Sequence, residues 1–181
     1  MFQLPKKAGL FLLGLCLGWM ASAPAFAGGI KPWTQITDVS QRFVVLTDFG
    51  GDTVLDRSTG LLWDRSPEGG NYSWYGAHRR CIFVGNGTSN ELGWRLPKVE
   101  ELHSLMYVTG SNPGGLASAL PAGHPFNLSG IAAGTRFWTA TSYQAENNDV
   151  TEAWTANPAG NFGSDLKTEG NGVWCVRGGA N

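Results

Sequence analysis

The stretch Trp94-Arg95-Leu96-Pro97-Lys98-Val99-Glu100-Glu101-Leu102 admits few local structures, and the rest of the chain must fold around it. It reads as an extended segment turning into a helix that begins at Pro97. The proline ring fixes φ near the helical value, and its missing N–H would have no partner in a first turn. Glu100 and Glu101 fall in that turn, where exposed N–H groups and the helix dipole favour negative charge. Leu102, Leu105 and Met106 recur at the spacing of a buried helical face. Trp94 and Leu96 anchor the entry, while Arg95 between them points the other way. None of these residues is a catalytic signature. The stretch is a helix start on a core element.

Residues 1–27 read as a signal peptide rather than part of the fold. Lys6 and Lys7 form a positive start, Ala8 to Met20 an apolar run, and Ala25-Phe26-Ala27 a small-x-small cleavage site. The run is too short and too rich in Gly for a membrane span. Cys16 raises lipidation, but Leu15 stands where a small residue is needed. Residues 28–41 then form an N-terminal arm, and 42–181 make a single domain. The 13 basic residues less the two leader lysines leave 11 against 14 acidic ones, a net charge of −3. That balance argues against nucleic acid or an anionic membrane surface as a partner. Loss of Cys16 leaves Cys81 and Cys175, which have one pairing, and an oxidising compartment favours it. Such a bridge closes a loop of about 95 residues and is worth about 4–5 kcal/mol on the chain-entropy model. It ties a helix in the first half to the last strand.

Phe43-Val44-Val45-Leu46 is a short apolar strand followed by a turn over 48–52. Thr53–Asp56 and Leu61–Asp64 are strands joined by a short loop, with Gly60 where positive φ is needed. Ser73 caps a helix whose buried side carries Trp74, Ala77 and Cys81. Gly85–Asn90 is a loop by composition. Residues 109–135 lack regular pattern, yet Leu116, Leu120, Phe126, Leu128 and Ile131 favour a packed excursion. Phe137–Thr141 and Ala153–Ala156 are strands, 157–161 a turn, and 172–179 a closing strand. With 26 Gly, 8 Trp and only 15% charged residues, the domain is loop-rich and pinned by aromatic anchors.

Five pieces occur in one order: Asp56-x-x-Thr59-Gly60-Leu61-x-Trp63, Trp74-x-x-Ala77-x-x-x-Cys81, Trp94-Arg95-Leu96-Pro97-x-x-x-Glu101-Leu102, Phe137-Trp138-x-x-Thr141-Ser142 and Cys175-Val176-Arg177-Gly178-Gly179. That series resembles the C-terminal domain of the bacterial collagen-like adhesin Lcl, over roughly residues 53–179. The resemblance implies an α+β, C-type-lectin-like fold. Two helices pack on small antiparallel sheets, with a long loop excursion, chain ends meeting in one sheet, and a bridge from the first helix to the last strand. The family adhesin is associated with sulfated glycosaminoglycans. This chain lacks its collagen repeat, so the multivalency of a trimeric stalk is not implied.

The expected function is an exported, non-enzymatic binding domain for a glycan or a cell-surface protein, periplasmic or secreted. The alternative is a structural or assembly component of the envelope or of a secretion or pilus system. Lectin-like folds place recognition on the long excursion, so Tyr107, Asn112, His124, Asn127 and Arg136 are the expected contact residues. The basic cluster His78-Arg79-Arg80 is the competing site, suited to a sulfate or carboxylate. No metal or cofactor is expected. The Glu-Pro-Asn, Gln-Pro-Asp and Trp-Asn-Asp triplets of calcium-dependent lectins are absent, and Asp48 with Asp52 or Asp149 with Glu152 fit no calcium loop. Glu100 and His103 share a helical face as in di-metal sites, but a second copy of the motif is missing. No Gly-x-Ser-x-Gly elbow occurs, and both thiols belong to the bridge, so no catalytic residue is assigned. Trp63, Trp94, Trp138 and Trp174 read as core. Trp154, with Tyr72, Tyr75, Tyr107 and Tyr143, is freer to face a ligand.

Overall fold

The computed structural model describes residues 36–83, 92–106, 120–132, 134–145 and 150–179. The expected leader, most of the expected arm, the Gly85–Asn90 loop, Tyr107, Asn112 and Asp149 lie outside the described residues. Asp38 caps the first helical turn, α1 (Val39–Arg42), by accepting from the Ser40 N–H at 2.9 Å. The chain then runs through β1 (Phe43–Leu46), a 3-10 turn over Thr47–Phe49, β2 (Thr53–Asp56), β3 (Leu61–Asp64) and β4 (Glu68–Tyr72). Next come α2 (Trp74–Phe83), β5 (Trp94–Arg95) and α3 (Val99–Leu105). The last five strands are β6 (Phe137–Tyr143), β7 (Glu152–Ala156), β8 (Phe162–Leu166), β9 (Asn171–Val173) and β10 (Val176–Arg177). Among the described residues no helix is long and apolar enough to cross a membrane.

Among the described residues two five-stranded sheets result, in the orders β1-β2-β3-β10-β5 and β4-β9-β6-β7-β8. The first sheet therefore holds the first and last strands together. Its β2–β3 hairpin turns at Gly60, where φ is +74° as the loop length requires. The expected pair of helices corresponds to α2 and α3, and α1 is a further single turn. The sheets are antiparallel except at one place, where Phe137 of β6 pairs in parallel with Gly172 of β9. Strands β4 and β8 were not expected: Gly69-Gly70 and Gly163 interrupt any alternating apolar pattern.

Two further expectations are corrected. The helix does not start at Pro97 but at Val99, with Lys98 still extended. The Pro97 carbonyl accepts from the Ala140 N–H at 2.7 Å, so it is committed to β6 and the chain stays extended one residue longer. The closing strand is also not continuous. Residues 171–173 belong to one sheet and 176–177 to the other, with Trp174 and Cys175 crossing between them. Trp174 explains the break. Its ring meets Trp63, Phe126 and Phe137 with centroids 6.0, 5.1 and 5.4 Å away, and its Nε1 donates to the Asp64 carbonyl at 2.9 Å. A tryptophan filling the space between two sheets cannot also keep its backbone in register with either.

Cys175 beside it is bridged to Cys81 of α2, with Cα atoms 5.5 Å apart. The anchors expected in the core are there: Trp63, Trp94, Trp138 and Trp174 are each no more than 3% exposed, and Leu96, Leu102 and Leu105 are fully buried. Within the excursion, Leu120, Phe126 and Ile131 are buried, so its described half is packed onto the domain despite lacking regular structure.

Candidate functional site

The start of α3 is fastened on two sides. Toward β6, Val99 N–H donates to Thr141 Oγ1 at 3.1 Å, beside the Pro97–Ala140 backbone bond. Toward the first sheet, Arg95 donates to both oxygens of Glu101, at 2.7 and 2.6 Å, and the Lys98 N–H reaches the same carboxylate at 2.7 Å. Glu101 is thus buried and spent on structure. A helix turned this way sends Leu102 and Leu105 inward and leaves Glu100 and His103, three residues apart, on the outer face.

Opposite that face lies the second sheet. Ala153 and Thr155 of β7 are buried, so the alternation of the strand turns Trp154 outward, where it is half-buried. Register pairs Trp154 with Ser164, and Glu152 with both Tyr143 and Leu166, so these side chains share one face. Phe162 stands two residues before Ser164 on that face. Between helix and sheet runs an open groove of about 390 Å³ lined by Val99, Glu100, His103, Thr141, Trp154 and Phe162. His103 lies edge-on to Phe162 at 5.0 Å, and Tyr143 edge-on to Trp154 at 5.2 Å. The Ser164 hydroxyl donates to Glu152. The groove therefore offers aromatic surface, a carboxylate with no partner among the described residues, an imidazole and a hydroxyl, at a volume within the ordinary range for small-molecule sites. Among the described residues no cluster of three or more His, Cys, Asp or Glu side chains converges as a metal site would require.

The residues expected to form a loop site are engaged separately. Tyr107 and Asn112 lie outside the described residues. His124 is half-buried, tilted against Phe126 at 5.8 Å, and burial holds its pKa below the usual histidine value. Its Nδ1 is buried with no partner among the described residues. Asn127 closes a local turn, its Oδ1 accepting from the Ser129 N–H at 3.1 Å and the Ser129 hydroxyl at 2.6 Å. Arg136 pairs with Asp165 at 3.1 Å, and Asp165 alternates with Ser164. Arg136 is thus held on the face of β8 turned away from Trp154.

The basic cluster is likewise divided. Arg80 is paired with Glu68, which also accepts from the Tyr72 hydroxyl at 2.6 Å. His78 packs edge-on to Trp74 at 4.2 Å, and burial, aided by the Lys167 charge, lowers its pKa below the usual histidine value. Arg79 alone remains an exposed cation.

The groove's components were visible in the sequence as separate facts: Glu100 and His103 on one helical face, and Trp154 as a less constrained tryptophan. Nothing in their spacing joins residues 50 positions apart. Phe162 carried no signal, because β8 itself was not legible. The sequence model of one protein family, the Lcl C-terminal domain, matches residues 52–177. No curated protein matches the chain.

Proposed function

Because the chain belongs to the Lcl C-terminal domain family, we propose that it is an exported, non-enzymatic binding domain of C-type-lectin-like fold, taking a glycan in the groove between α3 and the β6–β7–β8 layer. The observation that carries this reading is Trp154: a half-buried tryptophan edging an open groove, with Phe162, His103 and Glu100 beside it. Sugar rings pack their apolar faces on aromatic side chains, while flanking carboxylate, imidazole and hydroxyl groups meet their hydroxyls. The Cys81–Cys175 bridge fits an oxidising compartment. A lectin-like fold is supported by the first and last strands sharing a sheet and by the bridge from α2 to the segment between the last two strands.

A glycan array probed with the mature protein and with Trp154→Ala tests the reading. Signals from the parent that vanish in the variant, with unchanged thermal stability, support it. Signals that persist in the variant exclude the groove.

The assembly reading has its own observation. On α2 the side chains of Tyr75, Ile82 and Phe83 are 65, 58 and 74% exposed. Large apolar groups displayed on one helix fit a protein partner better than a soluble sugar. Loss of a co-purifying envelope protein on replacing these residues, with no glycan bound by the parent, would favour this second reading.

A further inference from the structure

We propose that the groove selects its glycan by charge, accepting sugars that carry a free amine and disfavouring sulfated chains, with Glu100 as the selecting residue. This deepens the glycan reading above and rests on it. Glu100 and Glu101 are neighbours in one helical turn with opposite fates. The carboxylate of Glu101 is consumed by Arg95 and the Lys98 N–H. Glu100 is exposed, lines the groove, and among the described residues has neither an ion pair nor a hydrogen-bond partner. A second carboxylate, Glu152, lies on the same face of β7 as Trp154, held by Ser164.

The cations that a sulfated chain would need are largely spent. Arg42, Arg80, Arg95 and Arg136 are each paired with an acid, at Asp56, Glu68, Glu101 and Asp165. Lys167 donates to the Val150 carbonyl at 2.6 Å and the Ser142 hydroxyl at 2.9 Å, and sits over the Trp74 ring. Lys98, exposed one residue before Val99, is the cation nearest the groove in sequence. A ligand stacked on Trp154 therefore meets negative charge from Glu100 and Glu152, and among the described residues no Lys or Arg lines the groove. A sugar amine, acidified by its neighbouring ring oxygens, is protonated in mildly acidic solution, and a sulfate is repelled.

The test compares three probes at about pH 5.5, where the sugar amine is charged, and at low salt by calorimetry on the mature protein. They are glucosamine oligomers, N-acetylglucosamine oligomers of equal length, and heparin. The amine oligomer should bind roughly two- to fivefold more tightly than its acetylated counterpart, the scale of an exposed ion pair. Added salt should erode that ratio, and E100Q should bring it close to one. Equal affinities in the parent, a ratio unmoved by E100Q, or heparin binding more tightly than either oligomer and weakening in K98Q would each overturn the proposal. So would failure of both oligomers to bind. Oligomers that bind without preference and are lost in W154A sink the charge selection while leaving the groove as the glycan site. Oligomers that bind equally well in W154A sink the groove itself.

Discussion

Replacing Glu101 by alanine removes the group that joins β5 to the start of α3. Two Arg95 bonds at 2.7 and 2.6 Å and the Lys98 N–H bond at 2.7 Å disappear together. Hydrogen bonds to charged groups contribute about 1.5–3 kcal/mol and a lost helix cap about 1 kcal/mol. The low end applies, because Arg95 is 30% exposed and keeps the Leu96 and Gly178 carbonyls at 3.0 and 2.8 Å. The expected loss is about 2–4 kcal/mol, or roughly 5–15 °C in Tm for a domain of this size. The pH dependence gives a second readout. Burial alone would raise the Glu101 pKa, but the Arg95 bonds, the Lys98 N–H and the charges of both residues outweigh it and hold the carboxyl below its ordinary value near 4.5. A folded-state pKa below the unfolded one gives stability that is complete above the unfolded value and is lost as pH falls through the folded one. Thermal unfolding followed by circular dichroism at pH 7 and pH 3 should therefore show a wide gap between parent and variant that narrows in acid. A Tm change under about 2 °C at pH 7, against the scaling above, or a gap of the same width at pH 3, would refute this account of the helix start.

Replacing Cys81 and Cys175 by serine should lower stability by about 2–5 kcal/mol, seen as a shifted denaturation midpoint, and intact parent should weigh two hydrogens less than its reduced form. Asp64 behaves opposite to Glu101. Burial first, then the charges of Glu68 and Asp52, push it up to about 6 against the Ser66 N–H and Arg80. A raised carboxyl pKa costs stability as pH rises through it, so Asp64→Asn should raise Tm at pH 7–8, by the equivalent of roughly 1–3 kcal/mol, and the gain should vanish near pH 4. Trp174→Ala, at the meeting of both sheets, should cost about 3–5 kcal/mol and expose the core to a hydrophobic dye. Trp154→Ala should leave Tm within about 2 °C of the parent, because its ring is only half-buried at the groove edge.

What the sequence disclosed depended on whether the signal was local. Ser73 before Trp74, Gly60 in a hairpin and the Leu102–Met106 periodicity are short-range patterns, and each fell where expected. The helix start at Pro97 was misplaced because the deciding bond, from Ala140 to the Pro97 carbonyl, comes from a strand 43 residues later. The last strand was drawn as one run because nothing in Gly172–Gly179 announces that Trp174 will be drawn between two sheets by Asp64 and three aromatic rings. The groove posed the same difficulty. Its walls come from residues 99–103, 141, 154 and 162, each ordinary alone. The loop residues His124, Asn127 and Arg136 looked available as polar groups in an irregular stretch, whereas packing and Asp165 engage them one by one.

The measurement that bears most directly on the binding site is a heteronuclear NMR titration of labelled protein spanning residues 28–181 with an N-acetylglucosamine oligomer. The glycan-groove account predicts that the Trp154 indole N–H and the backbone signals of Val99–His103, Thr141 and Phe162 shift together along one saturating curve. Shifts confined to His124–Ser129, or to Arg79 and Arg80, with the Trp154 indole unmoved, would contradict it.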